Sequence, residues 1–394
     1  MSAPSAHAGI RVFLSPAEPA HGVAEIVDRM DISGMSEVLD RILCARCAAA
    51  LDSRPDDISC AHCGQRYTRL GRIPVLLPEP LAHVQLWRRQ LALLLNNGAH
   101  THAGLEAAAA ADDVLPDGAT RLRAMANAVR DQANDFAALL GPALGGPLEG
   151  GANGLPRGVV EYSYYLFRDW GWNSPEASEN EQAFDALREV ARGDLGRLLV
   201  LGAGAARLAY DLHRRCGATD TTALDIDPYL FVIAEAVVRG RAVRLTEASL
   251  NVLEASHVST AWTLSAPDGP LDEQHFHFVL ANGLQPPFAD ATFDTIVTPW
   301  FIDRVPTDLG AFLKTLRRLL KPGGRWLNQG PLLYPPETPL ARRYSRDEVF
   351  DLAVRAGFEI GSWHSASRPY LVSPLTGAGK IEQVLSFEAI RTPD

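Results

Sequence analysis

The chain has 394 residues, long enough for two or three domains with ample core. Its 47% hydrophobic and 21% charged residues are ordinary for a globular protein, and a net charge of -10 counts against one that grips phosphate backbones, so nucleic acid is disfavoured as a partner. No apolar run approaches the length of a membrane span, and the first residues hold no charged segment leading into an apolar one, so the expected setting is cytoplasmic.

In chain order, residues 1–35 are rich in Ala, Pro and Ser with weak periodicity and read as a flexible tail. Residues 36–80 form a compact module built on Cys44-x-x-Cys47 and Cys60-x-x-Cys63. Each pair presents two thiolates in one tight turn, and two such turns complete a tetrahedral site, so the spacing predicts a zinc ribbon. Four protein ligands leave no open position, which makes the expected zinc structural; the ribbon is also the natural place for a protein partner. His62, inside the second knuckle, reads as a bystander, and Cys216 as a packing residue. Residues 81–145 repeat apolar positions at helical spacing and form a helical region, with Ala107 to Ala111 an ordinary part of it. The Gly- and Pro-rich stretch 141–158 is the clearest linker, and from 159 to 394 strand-like and helix-like segments alternate as in an α/β sheet.

The most informative stretch runs from Arg197 to Tyr229. The apolar run Leu198 to Leu201 meets Gly202-Ala203-Gly204, an amphipathic segment follows, and a second apolar run ends in Asp225. This is the strand, glycine turn, helix, strand and acid of a nucleotide-binding half-fold, in which glycines let the backbone approach the ligand and the carboxylate meets a ribose. A dinucleotide fold would place a third glycine where this chain has Arg207, an unfavourable residue for tight packing. S-adenosylmethionine (SAM) has no pyrophosphate and is served by the looser turn, so the expected cofactor is SAM.

Further segments fit in order. Residues 281–303 hold Asn282, then an apolar strand at Thr292 to Val297 and Asp303 at its carboxyl end. Residues 320–324 (LKPGG) close a helix and open the next strand. Asp303 lies where ligands sit in open α/β sheets and is the expected catalytic group, orienting a nucleophile and taking its proton; its structural alternative is to cap a helix from Arg304 to Leu319. His275 and His277 alternate on an apparent strand with one face in solvent and are weak metal candidates.

These segments resemble class I SAM-dependent methyltransferases. FRDWGW (167–172), WFIDRV (300–305) and GGRWLNQGPLLY (323–334) narrow the resemblance to the carnosine N-methyltransferase family, over about Tyr162 to the end of the chain. The resemblance implies a Rossmann-like seven-stranded sheet, mostly parallel with an antiparallel seventh strand. It implies that Arg168 holds the methionine carboxylate of SAM, that Gly202 and Gly204 form the glycine turn, and that Asp225 binds the ribose and Asn282 the adenine. Asp303, Tyr334 and Tyr370 would face the acceptor. Pro335 stands where the family has a histidine, and Ile381 where it has a tyrosine, so carnosine itself does not carry over. The expected activity is methylation of a nitrogen, an imidazole among the candidates, on a small molecule or short peptide. The alternatives are a tRNA or rRNA methyltransferase that presents RNA on its ribbon, and a non-catalytic partner subunit with a SAM fold.

Overall fold

The computed structural model describes residues 41–54, 57–146, 159–172, 178–191, 193–305 and 308–393. The expected tail and most of the expected linker lie outside them. The ribbon contributes β1 (Asp52–Arg54), β2 (Asp57–Ser59), β3 (Arg66–Leu70) and β4 (Ile73–Leu76). The helical region is a hairpin of two long helices, α1 (Pro80–Ala109) and α2 (Pro116–Leu144). Each opens with proline in its first turn, where the missing N–H would have had no partner. Helices α3 (Val159–Trp170) and α4 (Glu179–Val190) follow, the second capped by Ser178.

The α/β half then runs β5 (Gly196–Leu201), α5 (Arg207–Arg215), β6 (Ala218–Asp225), α6 (Pro228–Val238), β7 (Val243–Ala248), β8 (Ser259–Leu264), β9 (Phe276–Ala281) and β10 (Phe293–Pro299). It ends with α7 (Leu309–Leu319), β11 (Leu320–Gly330), α8 (Arg346–Arg355), β12 (Phe358–Tyr370) and β13 (Lys380–Arg391). The main sheet has the order β1-β2-β3-β4-β9-β6-β5-β10-β11-β13-β12, and β7-β8 form a separate antiparallel pair. From β9 to β12 these are the seven expected strands, with β13 antiparallel between β11 and β12.

The sheet has eleven strands rather than seven because the ribbon joins it. Val75 and Leu76 of β4 pair in parallel with Leu280 and Ala281 of β9. A second seam runs beside this one: Leu43 N–H donates to the Pro287 carbonyl at 2.8 Å and Ala289 N–H to that of Arg41 at 3.1 Å. The central strands are buried on both faces, which explains their unbroken apolar runs. Leu198 and Val200 face the core under α1 to α6; Leu199 and Leu201 face a second core under α7 and α8. Ile42, Ile58 and Tyr67 of the ribbon belong to that second core.

This continuity corrects the reading of the two histidines. His275 is exposed beside Asp272, but His277 is 5% exposed on β9, 3.4 Å from Asp220, which Arg41 of the ribbon also reaches at 3.4 Å. The face expected to meet solvent is covered by the ribbon.

Leu76→Ala should lower the unfolding free energy by about 2–5 kcal/mol, the usual cost of a buried leucine truncation. Denaturant unfolding followed by tryptophan fluorescence checks this. Because most of the tryptophans lie in the α/β half, an unchanged midpoint would mean that ribbon and sheet unfold independently.

Candidate active site

The glycine turn begins where β5 ends. Gly202 has φ +70°, and a Cβ there would lie 2.5 Å from the Phe301 ring, so only glycine fits. Gly204 also has positive φ (+58°) but open space around it. The N–H groups of Gly202 and Ala203 donate to the Leu224 carbonyl at 2.9 and 3.1 Å, tying the turn to β6. Gly204 N–H donates to Asp225 Oδ2 at 2.8 Å, and Ile226 and Asp227 donate to Oδ1 at 2.7 and 2.9 Å. A carboxylate has about four lone-pair sites. Three are taken by the chain, so Asp225 is rigidly aimed and keeps one good acceptor position, on Oδ2.

Arg207, at the position of the missing third glycine, is buried rather than obstructive. Its Nε reaches both oxygens of Asp211 at 2.9–3.0 Å, its Nη1 donates to the Asp169 carbonyl at 2.8 Å, and the guanidinium lies 5.5 Å from the Trp170 ring centroid. It bolts α5 to α3.

A cavity of about 960 Å³ opens over the carboxyl ends of the central strands. It is lined by Gly202, Gly204 and Asp225 on one side and by Arg168, Trp300, Asp303, Tyr370 and Glu382 on the other. Arg168 lies in the last turn of α3; its Nε pairs with Asp169 at 2.7 Å and its guanidinium lies 5.2 Å from the Tyr165 ring centroid and 5.7 Å from that of Tyr370. Its Nη groups make no hydrogen bond to the described residues.

Beyond β10 the chain turns sharply. Trp300 has φ +46°, its N–H donates to the Gln329 carbonyl at 2.6 Å, and a Cβ on Gly330 would lie 2.9 Å from Trp300 Cα. The indole stacks on Tyr370, with centroids 5.4 Å apart, and donates to Glu382 Oε2 at 2.9 Å. The Tyr370 hydroxyl shares a hydrogen bond of 3.0 Å with that of Tyr165, and Lys380 pairs with Glu382 Oε1 at 2.6 Å.

Asp303 sits in a 3-10 turn, Ile302–Arg304, 3% exposed, with Oδ1 lacking a hydrogen-bond partner among the described residues. It does not cap α7, which begins at Leu309 and is capped by Asp308. Burial pushes the Asp303 carboxyl up to about 6; Arg304 and the Leu333 backbone work against the rise, and Glu382 adds to it.

Two expected contacts lie off the lining. Asn282, at the end of β9, turns its side-chain oxygen to the Leu284 N–H at 3.0 Å. Tyr334 donates to the Tyr344 carbonyl at 3.1 Å, close enough to Asp303 to feel its charge, while Pro331 and Leu333 meet the cavity instead. Residues not singled out from the sequence complete the walls: Arg368, Lys380 and Glu382 from β12 and β13, and His83, Leu86, Trp87 and Gln90 from α1. Period-two alternation would have put Arg368 with Tyr370, and Lys380 with Glu382, on common faces. No local signal marks the α1 residues.

At the ribbon, Cys44, Cys47, Cys60 and Cys63 bring their sulfurs within 4.8 Å of one another, with Cys44–Cys63 at 3.6 Å and Cys47–Cys60 at 3.5 Å. Zinc–thiolate bonds of ~2.3 Å in a tetrahedron give sulfur separations of roughly 3.8 Å. The knuckles match: Ala48 N–H donates to the Cys44 carbonyl and Gly64 N–H to that of Cys60, and both donors have positive φ. Burial would raise the Cys44 thiol, but the Tyr67 hydroxyl at 3.1 Å and the backbone of Arg46 and Cys47 bring it down to about 6. The cluster fits a zinc site.

Strand order and glycine turn give the chain the Rossmann-like fold of class I SAM-dependent methyltransferases, with an acid-lined cavity at the carboxyl ends of its strands. Within that class the chain resembles the carnosine N-methyltransferase family, whose model matches residues 246–376. Carnosine N-methyltransferase from Rattus norvegicus is 36% identical over 72 residues, 18% of each chain. The Dictyostelium discoideum enzyme is 49% identical over 43 residues, 11% of this chain and 9% of its own. The chain thus spans less than a fifth of the length of these curated relatives. Among solved structures, a SAM-dependent methyltransferase from Methanosarcina mazei aligns with 52% of this chain and 97% of its own, at 18% identity and a TM-score of 0.35. No helix among the described residues is long and apolar enough to cross a membrane.

Gly202→Ala should destabilise the fold more than Gly204→Ala. Both incur the left-handed penalty of about 1–2 kcal/mol, but only the first drives a methyl group into Phe301. Urea unfolding of the two variants checks the order; equal losses would mean that Phe301 moves freely.

Proposed function

We propose that this protein transfers a methyl group from SAM to a nitrogen of a small molecule or short peptide, with an imidazole as the favoured acceptor group. The observation that carries the reading is Asp303: a buried carboxylate with an unbonded oxygen, in the same cavity as the glycine turn and Asp225. When bound, SAM supplies a methyl group on a sulfonium centre. The chain's own residues do the rest. The free Nη donors of Arg168 suit the methionine carboxylate, and Asp225 offers its remaining Oδ2 lone pair to a ribose hydroxyl. The Gly202–Gly204 turn lets the backbone come close. Trp300 and Tyr370 present aromatic faces that favour a cation beside them. Asp303 accepts the acceptor's N–H, fixes its direction and takes its proton as the nitrogen is methylated, so that alignment supplies most of the rate.

Asp303→Asn should leave SAM affinity near wild type and cut turnover by about 10²-fold or more, the usual range for a lost general base. The raised carboxyl gives the sign of the pH dependence. The base works only when ionised, so kcat/KM falls as pH drops through about 6, and the asparagine variant lacks that limb. Labelled SAM with fractionated small molecules supplies the assay; full activity of Asp303→Asn would refute the assignment.

The cysteine cluster is proposed to hold one structural zinc per chain. Metal analysis should find one equivalent. Cys60→Ser should release it and lower the melting temperature of the whole protein, since the ribbon shares the main sheet. Metal-free, fully stable protein would exclude this role.

A further inference from the structure

One wall of the cavity is a charged hairpin face. In the antiparallel register of β12 and β13, Arg368 lies opposite Glu382 and Tyr370 opposite Lys380, and all four line the cavity. Cross-strand neighbours of opposite charge normally pair. Here they do not. Glu382, 3% exposed, is already held by the Trp300 indole on Oε2 and by Lys380 on Oε1. Lys380 is thereby neutralised and also lies 4.8 Å from the Tyr370 ring centroid. Arg368 is left over: its guanidinium makes no hydrogen bond or ion pair with any described residue, and its Nε is buried without a partner.

The other charges around the cavity do not resolve this. Arg168 is paired with Asp169. Glu179 accepts the N–H groups of Leu371 and Val372 at 2.9 and 2.8 Å, fixing the turn just after β12. Asp225 is held by three backbone amides. A half-buried guanidinium without a counter-charge is expensive to desolvate, and its forked donors match a carboxylate or phosphate in two parallel bonds. Its strand neighbour Tyr370 stacks on Trp300, three residues before Asp303 along the chain, so Arg368 stands on the cavity wall that adjoins the Asp303 turn.

We propose that Arg368 determines acceptor specificity by anchoring an anionic group, in the first place a carboxylate, of the molecule whose nitrogen meets Asp303. The proposal rests on the methyltransferase reading above and adds the acceptor's charge to it. Asp303 then selects the nitrogen, while Arg368 sets its distance from an anionic tail.

The test is calorimetric, at pH 8, on full-length protein saturated with S-adenosylhomocysteine. Wild type, Arg368→Gln and Arg368→Lys are titrated with imidazole-4-acetate and with 4-methylimidazole, which differ in the carboxylate. Wild type should prefer imidazole-4-acetate by at least tenfold. Arg368→Gln should abolish the preference and Arg368→Lys keep part of it, with S-adenosylhomocysteine affinity unchanged in all three. Equal binding of the two probes by wild type, binding of neither, or a preference that survives in Arg368→Gln overturns the assignment. Weakened S-adenosylhomocysteine binding in Arg368→Gln also overturns it, by giving the guanidinium to the cofactor. A wild type that binds no S-adenosylhomocysteine at all brings down the methyltransferase reading, and is seen in the first titration before any probe is added.

Discussion

The cavity depends on one close crossing of backbones, where the chain leaving β10 passes the end of β11. Trp300 is held left-handed by its N–H bond to Gln329, and Gly330 is bare because any Cβ would enter the Trp300 backbone. That turn sends three consecutive features in three directions. The indole goes to Tyr370 and Glu382. The Phe301 ring fills the space that Gly202 and Gly283 leave open. Asp303 ends beneath the cavity with one oxygen free. A left-handed tryptophan is strained, and such strain persists only where its surroundings over-determine it. Here a backbone hydrogen bond, a stacking contact and an indole hydrogen bond all do so.

Features set by nearby residues were legible in the sequence. The glycine turn with Asp225 is written within one strand-helix-strand unit, and the cysteine knuckles within one hairpin; both fold as their spacing implies. Pro322, Gly323 and Gly324, expected to turn the chain between α7 and the next strand, instead fall inside β11, where its register against β10 shifts. Asp303 was placed correctly at a strand end, but the start of α7 was not, because Asp308 is the better-placed cap. What stayed hidden depends on distant partners. Arg207 looked like an obstacle: its pairing with Asp211 four residues on is local, but nothing local shows that the Asp169 carbonyl will receive it as well. His277 looked half-exposed because its cover is Arg41 and the ribbon. Asn282 and Tyr334 carried expectations by resemblance; in the fold the Asn282 side-chain oxygen accepts from Leu284 and the Tyr334 hydroxyl donates to Tyr344. Glu382 and Arg368 matter only once β12 and β13 are paired and Trp300 has turned.

The ribbon is more than an appendage. Its last strand is hydrogen-bonded into the sheet, its apolar residues enter a shared core, and α1 begins a few residues later to wall the cavity with His83 and Trp87. The Tyr229 hydroxyl, on the helix after Asp225, donates to the Trp87 carbonyl at 2.6 Å. The cysteine cluster is therefore joined to the cofactor side of the site by a short run of covalent chain.

The pairing of β4 with β9 also sets an order of events during synthesis. The ribbon emerges from the ribosome early, with Val75 and Leu76 on a strand whose partners, Leu280 and Ala281, are still untranslated. For that interval β4 is an unpaired apolar edge, the kind of surface that recruits foreign strands. Closing the contact means spanning a long stretch of chain, which slows folding. The helix hairpin that follows the ribbon is local and fast to form, and Leu91, Leu94 and Phe136 share one core with Val75. It can shelter one face of the strand while its edge waits.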